Sequence, residues 1–151
     1  MLWESRGSHP VHTVRGSIRI DNADRSLEYV QAHVIPGEKI LIYPYQPLYY
    51  FLTGTSSPTR YDFLQLGMHT PEQFQETLEE LVADQTQVVL FETSVAENRV
   101  LTSPETPLKL FAGKDPVEEY IFRQYRTCAG PMKNQYWTFL FMVRRDIPCT
   151  R

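Results

Sequence analysis

The pattern of apolar and polar positions along the chain predicts an alternation of helices and strands. Two short aliphatic runs, within residues 39–43 and 88–92, lack the polar alternation that a half-exposed strand would show, and residues 61–66 also have the composition of a strand. Consecutive apolar residues are typical of strands that are covered on both faces, as in parallel sheets. We therefore predict three neighbouring parallel strands, at residues 39–43, 61–66 and 88–92.

Capping residues and helical spacing predict helices between these strands. One helix is expected over residues 23–33, and a short one over 48–52. Thr70, followed by Pro71, Glu72 and Gln73, supplies an N-cap, a proline at the first helical position and a capping-box glutamine. Asp115, followed by Pro116, predicts a further helix start.

The C-terminal part is rich in aromatic and branched residues. Residues 126–132 and 135–144 are predicted to form two strands joined at Lys133 and Asn134. The prolines between residues 93 and 112 favour a long surface excursion. The fold class predicted is a three-layer, Rossmann-like α/β sandwich whose mainly parallel sheet carries a C-terminal antiparallel hairpin at one edge.

Composition limits the domain organisation. The 151 residues, 42% of them apolar and 22% charged, are typical of one folded globular domain. We assign this domain to residues 16–151. Residues 1–15, which include the tag-like letters RGSH, are expected to be an unstructured leader. No apolar run approaches the roughly 20 residues of a membrane span, and the first residues lack the apolar region of a secretory signal, so a soluble chain is expected.

The charge of the chain gives little indication of a partner. A formal net charge of −3 gives no overall reason to bind nucleic acid or anionic lipid. The late basic residues are expected to form a solvated face at the ends of the hairpin. They are Arg123, Arg126, Lys133, Arg144, Arg145 and Arg151.

The two cysteines, Cys128 and Cys149, permit at most one disulfide. Their spacing is that of neither a redox motif nor a metal site. A bond would require the C-terminal tail to fold back until the two Cα atoms are within roughly 7 Å. The sequence leaves open whether they pair, and therefore leaves the redox compartment undecided.

Familiar cofactor and catalytic motifs are missing from the sequence. A dinucleotide site would place Gly-x-Gly-x-x-Gly directly after the first strand, where this chain has Tyr-Pro-Tyr-Gln-Pro. The sequence also lacks a P-loop, a Gly-x-Ser-x-Gly elbow and a cluster of metal-ligand residues. We therefore predict no cofactor and no metal, and assign no catalytic residue.

Ligand crevices of open parallel sheets lie beyond the carboxyl ends of the strands. Tyrosine rings at such a place suit the wall of a carbohydrate or lipid-headgroup pocket, since they offer an apolar face and a polar tip. The same rings also suit a packing role, closing the end of the sheet, and we favour that role. The candidate ligand-binding residues are Tyr43, Tyr45, Gln46, Tyr49, His69 and Glu92.

The order of five segments resembles a known family. The segments are PGEKILIYPYQPLYYFLTG, SPTRYDFLQLGMHTPEQFQETLEEL, VVLFE, EEYIFRQYRTCAGP and FLFMVRR. Over about residues 16–145 they resemble the soluble C-terminal region of bacterial GT-C membrane glycosyltransferases, those similar to dolichyl-phosphate-mannose protein mannosyltransferases.

The resemblance implies a function outside the cytoplasm. Such enzymes move a sugar from a polyprenyl-phosphate donor to an acceptor, and their acidic catalytic residue lies between transmembrane helices that have no counterpart here. The resemblance therefore implies that this chain is a non-catalytic extracytoplasmic domain. Its expected partners are the transmembrane part of a glycosyltransferase and a glycan or polyprenyl-phosphate sugar. The alternative is an independent small α/β protein or enzyme that uses the strand-end tyrosines and His69.

Overall fold

A computed structural model describes residues 7–93, 115–133 and 137–149. After an initial hairpin, the chain forms four helices and four strands within the described residues. They are β1 Ser8–Thr13, β2 Gly16–Asp21, α1 Ser26–His33, β3 Leu41–Tyr43, α2 Leu48–Thr53, α3 Pro71–Asp84, β4 Val88–Glu92, α4 Pro116–Gln124, β5 Tyr125–Lys133 and β6 Thr138–Arg144. Residues 94–112, where a surface excursion was predicted, lie outside the described residues.

The main sheet is mixed and has four strands in the order β3, β4, β6, β5. β3 runs parallel to β4, with Tyr43 beside Phe91, whereas β6 is antiparallel to both β4 and β5. One parallel pair in four strands is not a mainly parallel, Rossmann-like sheet, so the predicted fold class is wrong. The place beside β4 that a third parallel strand would take is filled by β6.

The segment 61–66, predicted as the second parallel strand, forms no strand. It meets the main sheet through a hydrogen bond from the Leu64 amide to the Pro44 carbonyl, 2.9 Å long, and otherwise makes an isolated bridge between Leu66 and His69. Leu64 nevertheless lies in the core. Leu64 is the buried residue of this segment, and its burial alone does not distinguish a strand from a packed loop.

Helices cover both faces of the main sheet. Because side chains alternate along a strand, successive β4 residues face opposite layers. Val88 and Leu90 pack with buried residues of α1 and α2, and Val89 and Phe91 pack with buried residues of α3 and α4. The core is thus divided by the sheet into two apolar clusters, each closed by a pair of helices.

The N-terminal hairpin corrects the prediction of an unstructured leader. β1 and β2 pair antiparallel from Ser8 opposite Asp21 to Thr13 opposite Gly16. Val11 is buried in the α1–α2 cluster, and Ile18 and Ile20 pack against it. The hairpin is ordered because its alternate apolar residues form one face, and this face packs on the core.

Two predicted helix starts are confirmed by their caps. The Thr70 hydroxyl accepts from the Gln73 amide, and the Gln73 side chain accepts from the Thr70 amide at 2.8 Å, so the capping box of α3 is complete. Asp115 Oδ1 accepts from the amides of Val117 and Glu118 at the start of α4. α1 begins at Ser26, three residues later than expected, after a turn in which Asp24 accepts from the Ser26 amide.

The C-terminal tail is fastened to β5. Cys128 and Cys149 form a disulfide with their Cα atoms 5.5 Å apart, which answers the question left open by the sequence. A turn closed by the Ile147 amide on the Arg144 carbonyl reverses the chain after β6. The Arg126 guanidinium donates to the Ile147 carbonyl at 2.6 Å, and Ile147 packs on the core. Over the described ranges, no helix combines the length and apolarity needed to span a membrane.

Candidate functional site

The candidate site lies at the edge of the main sheet where β3 and β4 end. Since these strands are parallel, their carboxyl ends meet there, and antiparallel β6 begins at the same edge, with Phe139 opposite Glu92. Three chain segments therefore converge: the turn from β3 to α2, the end of β4 and the start of β6. The loop that carries residues 61–69 adjoins the first of these through Leu64.

Five rings form a continuous series along this edge, which we call the aromatic row. Trp137 and Tyr45 have ring centroids 5.7 Å apart, as do Tyr45 and Phe63. Phe63 is followed by His69 at 5.2 Å, and His69 by Tyr61 at 6.1 Å. All these separations lie in the range of favourable aromatic contacts. The row thus joins three segments that are distant in sequence.

The aromatic row is rooted in the core and open to water on one side. Tyr45, near its middle, is 37% exposed, and the other four rings are half-buried. Below His69 lies the fully buried ring of Phe74, 6.5 Å away. Rings held from beneath offer a rigid apolar surface, which lowers the entropic cost of binding a ligand.

His69 has a defined tautomer in this arrangement. Its Nδ1 accepts a hydrogen bond from the Gln65 amide at 3.1 Å, so in the neutral ring the proton is on Nε2. The side chain therefore contributes an Nε2–H donor and a ring edge to the aromatic row.

Two of the sequence-predicted tyrosines belong to the framework. The hydroxyl of buried Tyr43 donates to Asp115, which links the end of β3 to the start of α4. The hydroxyl of buried Tyr49 lies 2.7 Å from Ser26 Oγ. Since Ser26 gives its own proton to Asp24 Oδ1 at 2.6 Å, Tyr49 is the donor. Both hydroxyls thus position helices.

Gln46 and Glu92 lie at the same edge but beneath the surface. Gln46 is 8% exposed and has a φ of +119°, a backbone conformation that costs a non-glycine residue about 1–3 kcal/mol. Its carbonyl accepts from the Tyr49 amide as α2 begins. The Glu92 side chain is fully buried, with Oε1 3.4 Å from the Thr138 amide. These two buried residues thus support the backbone beneath the site.

Of the predicted residues, Tyr45 and His69 are the two that the aromatic row includes. Phe63 joins them, and sequence reasoning missed it together with Tyr61 and Trp137. Tyr61 and Phe63 were assigned to a strand, and Trp137 was assigned to the hairpin. The density of rings around residues 43–51, 61–63 and 136–141 was the available signal.

Carboxylates surround the Tyr61 end of the aromatic row. The Tyr61 hydroxyl donates to Glu76 Oε2 at 2.8 Å, and Glu80 accepts from the Arg60 amide. Asp62 is exposed between Tyr61 and Phe63 in the chain. Arg60, whose guanidinium lies 5.7 Å from the Tyr61 ring and 3.4 Å from Glu76, is the cation opposing these three acids.

The helix that carries Glu76 adds to this acidic character. At its first turn, the Glu72 backbone amide and the Thr70 hydroxyl hold the pKa of the Glu72 carboxyl below its usual value. Carboxylates recur along the whole length of α3. Glu72 and Glu79 are exposed, and Glu76, Glu80 and Asp84 are half-buried.

Among the described residues, no group of three histidine, cysteine or acidic side chains is placed to hold a metal ion. Comparison with known proteins found no matching family model, no matching curated protein and no matching solved structure.

Proposed function

We propose that this chain is a non-catalytic carbohydrate-binding domain that positions a glycan or glycan acceptor on the aromatic row. The observation that carries the proposal is the partly exposed series of five rings anchored on the core. Sugar rings have apolar faces that pack on aromatic side chains, while tyrosine and imidazole tips supply hydrogen bonds at the rim.

The contacts of the candidate side chains support binding over catalysis. The Tyr43 and Tyr49 hydroxyls are committed to Asp115 and Ser26, and His69 Nδ1 is committed to the Gln65 amide. A general base must be free to take a proton from its substrate. These groups instead fix the position of the rings around them.

We place the domain on the extracytoplasmic face of a membrane, as part of, or related to, a glycosyltransferase that uses a polyprenyl-phosphate sugar. The order of sequence motifs supports this placement. The disulfide between Cys128 and Cys149 is an independent support, because stable disulfides are typical of oxidising compartments.

The test is titration of the chain with a panel of neutral oligosaccharides, followed by isothermal calorimetry and by NMR. Replacing Tyr45 or Trp137 with alanine should weaken binding about threefold to tenfold, the size expected for losing one favourable ring contact. Tyr45→Phe keeps the ring and should keep most of the affinity. Phe51→Ala is the control, since Phe51 is an exposed ring, 55% against 37% for Tyr45, and lies outside the aromatic row.

The proposal fails if no sugar in the panel shifts the resonances of the aromatic row. It also fails if Phe51→Ala weakens binding as much as Tyr45→Ala, because the binding surface would then lie elsewhere.

A further inference from the structure

Gln46 is a buried polar residue of the candidate site whose side-chain amide the framework does not use. The residue is only 8% exposed and directly follows Tyr45 of the aromatic row. Its φ of +119° lies in a region that glycine adopts without strain. Strained backbone of this kind is concentrated at ligand-binding sites, where it fixes the position of a side chain.

The side-chain amide of Gln46 has no hydrogen-bond partner in the part of the chain that the structure describes. The amide is also not sealed from water, because the described side-chain atoms that are both buried and unpaired are His9 Nδ1 and Thr77 Oγ1. A side chain that is more than nine-tenths buried thus presents an unpaired polar group to solvent.

Two other buried polar side chains at this edge are committed to internal contacts. The Tyr43 hydroxyl donates to Asp115. The Tyr49 hydroxyl donates to Ser26 Oγ. Gln46 differs from them, because its two N–H donors and its carbonyl acceptor are all available to a ligand.

We infer, on the basis of the proposed carbohydrate-binding function, that the Gln46 amide is the specificity-determining group of the site and binds two neighbouring hydroxyls of an uncharged sugar. A primary amide donates through its nitrogen and accepts through its oxygen, and a hydroxyl can do either. Two adjacent hydroxyls therefore pair with both ends of the amide, while an apolar face of the sugar packs on Tyr45. The uncharged amide offers no ion pair to a carboxylate or an ammonium group.

The experiment measures the affinity of the full chain for three neutral trisaccharides, built from glucose, galactose or mannose, by isothermal calorimetry. The trisaccharide that binds most tightly is then compared with derivatives that each lack one ring hydroxyl. For two neighbouring hydroxyls, removal of either one should weaken binding about threefold to tenfold, which is the size of one hydrogen bond.

The variant Gln46→Met removes the amide and keeps a side chain of similar length. It should weaken binding of the parent trisaccharide about tenfold to a hundredfold, as expected for two lost hydrogen bonds. The two deoxy derivatives should then bind the variant as well as the parent does, because the hydroxyls have lost their partner. The melting temperature should not fall, since the amide has no internal hydrogen bond to lose. Gln31→Met is the matched control and should retain full affinity, since the Gln31 side chain donates to the His12 carbonyl, outside the aromatic row.

The outcomes separate this inference from the proposed function. Unchanged affinity in Gln46→Met overturns the inference while carbohydrate binding itself stands. Weaker binding of the parent and of every deoxy derivative by one common factor also overturns it, because the cause would then be a general disturbance of the site. A lower melting temperature in Gln46→Met would assign the amide to the framework and has the same consequence. Failure of every trisaccharide to bind the unaltered chain overturns both the inference and the proposed function.

Discussion

Removing the disulfide between Cys128 and Cys149 should destabilise the protein without abolishing its fold. The two cysteines are 21 residues apart. In the chain-entropy description, a cross-link that closes a loop of this length stabilises the folded state by about 3 kcal/mol. For a domain of this size, that corresponds to a melting temperature roughly 6–12 °C lower.

Two other contacts explain why the fold should survive reduction. The Arg126 guanidinium still donates to the Ile147 carbonyl, and Ile147 still packs on the cluster that includes Phe141 and Val143. The β5–β6 ladder itself does not depend on the tail. Reduction should therefore loosen residues 145–149 and lower the free energy of unfolding, with strand pairing intact.

The assay is thermal unfolding followed by circular dichroism, with and without a phosphine reductant. Counting two free thiols after reduction verifies that the bond has opened. The double variant Cys128→Ser, Cys149→Ser should melt at the temperature of the reduced protein and be insensitive to reductant. Hydrogen exchange should rise in residues 145–149 before it rises in β6. A melting temperature that is the same before and after full reduction would refute the reasoning, because the cross-link would then not restrict the unfolded chain as supposed.

The remaining predictions concern alkaline pH and one glycine. Burial raises the pKa of Tyr50 from 10.0 to about 12. The stabilisation that comes from keeping the Tyr50 hydroxyl neutral is complete below pH 10 and is lost as the pH rises to 12. The free energy of unfolding should fall by about 2–3 kcal/mol over that interval, and by less in Tyr50→Phe. Gly130 has a φ of +115°, and a Cβ added there would lie 2.6 Å from the Phe139 carbonyl oxygen. Gly37 has a φ of +90°, but a Cβ added there would meet no atom within 4 Å. Gly130→Ala should therefore lower the free energy of unfolding more than Gly37→Ala does. The strain alone should cost about 1–3 kcal/mol, and urea midpoints that shift equally in the two glycine variants would contradict the role of the contact.

Helix boundaries were the part of the fold that the sequence predicted best. A helix cap is a local interaction between residues close together in the sequence, so it can be predicted from that short stretch alone. Thr70 and Asp115 were interpreted as helix starts, and their side chains accept the expected hydrogen bonds, from the Gln73 amide and from the amides of Val117 and Glu118. α1 was less certain because its first turn has no side-chain cap, and its start moved from residue 23 to residue 26.

Strand pairing was the part that the sequence predicted worst. An apolar run shows that a segment is buried, but the partner of a strand is set by long-range packing. Leu64 is buried beside the end of β3 without joining the sheet. β6 begins 45 residues or more after the end of β4, yet it pairs with β4 inside the sheet. Its side chains alternate between the two faces and so contribute to both apolar clusters.

The location of the candidate site depended on one correct pairing. The strand-end rule requires only two parallel strands with a common carboxyl edge, and β3 and β4 supply them. Tyr45 was therefore placed at the carboxyl edge that β3 and β4 share, although the predicted second strand, residues 61–66, forms no strand. The rule could not separate Tyr45 from Tyr43, because the hydroxyl partner of Tyr43 is Asp115, 72 residues away.

The distribution of cations explains how a chain with a net charge of only −3 presents an acidic surface beside the aromatic row. Two of the C-terminal arginines donate to backbone carbonyls: Arg145 to those of Phe122 and Arg123 at the end of α4, and Arg126 to that of Ile147. Arg144 donates to Asp146, and this hydrogen bond holds the pKa of the Asp146 carboxyl below its usual value. Among the described residues, α3 itself carries five acidic side chains and no basic one. Arg144 reaches its C-terminal end by donating to the Gln85 carbonyl. Because exposed charges are screened over about 10 Å in dilute salt, the potential at the aromatic row depends on nearby charges more than on the net charge of the chain.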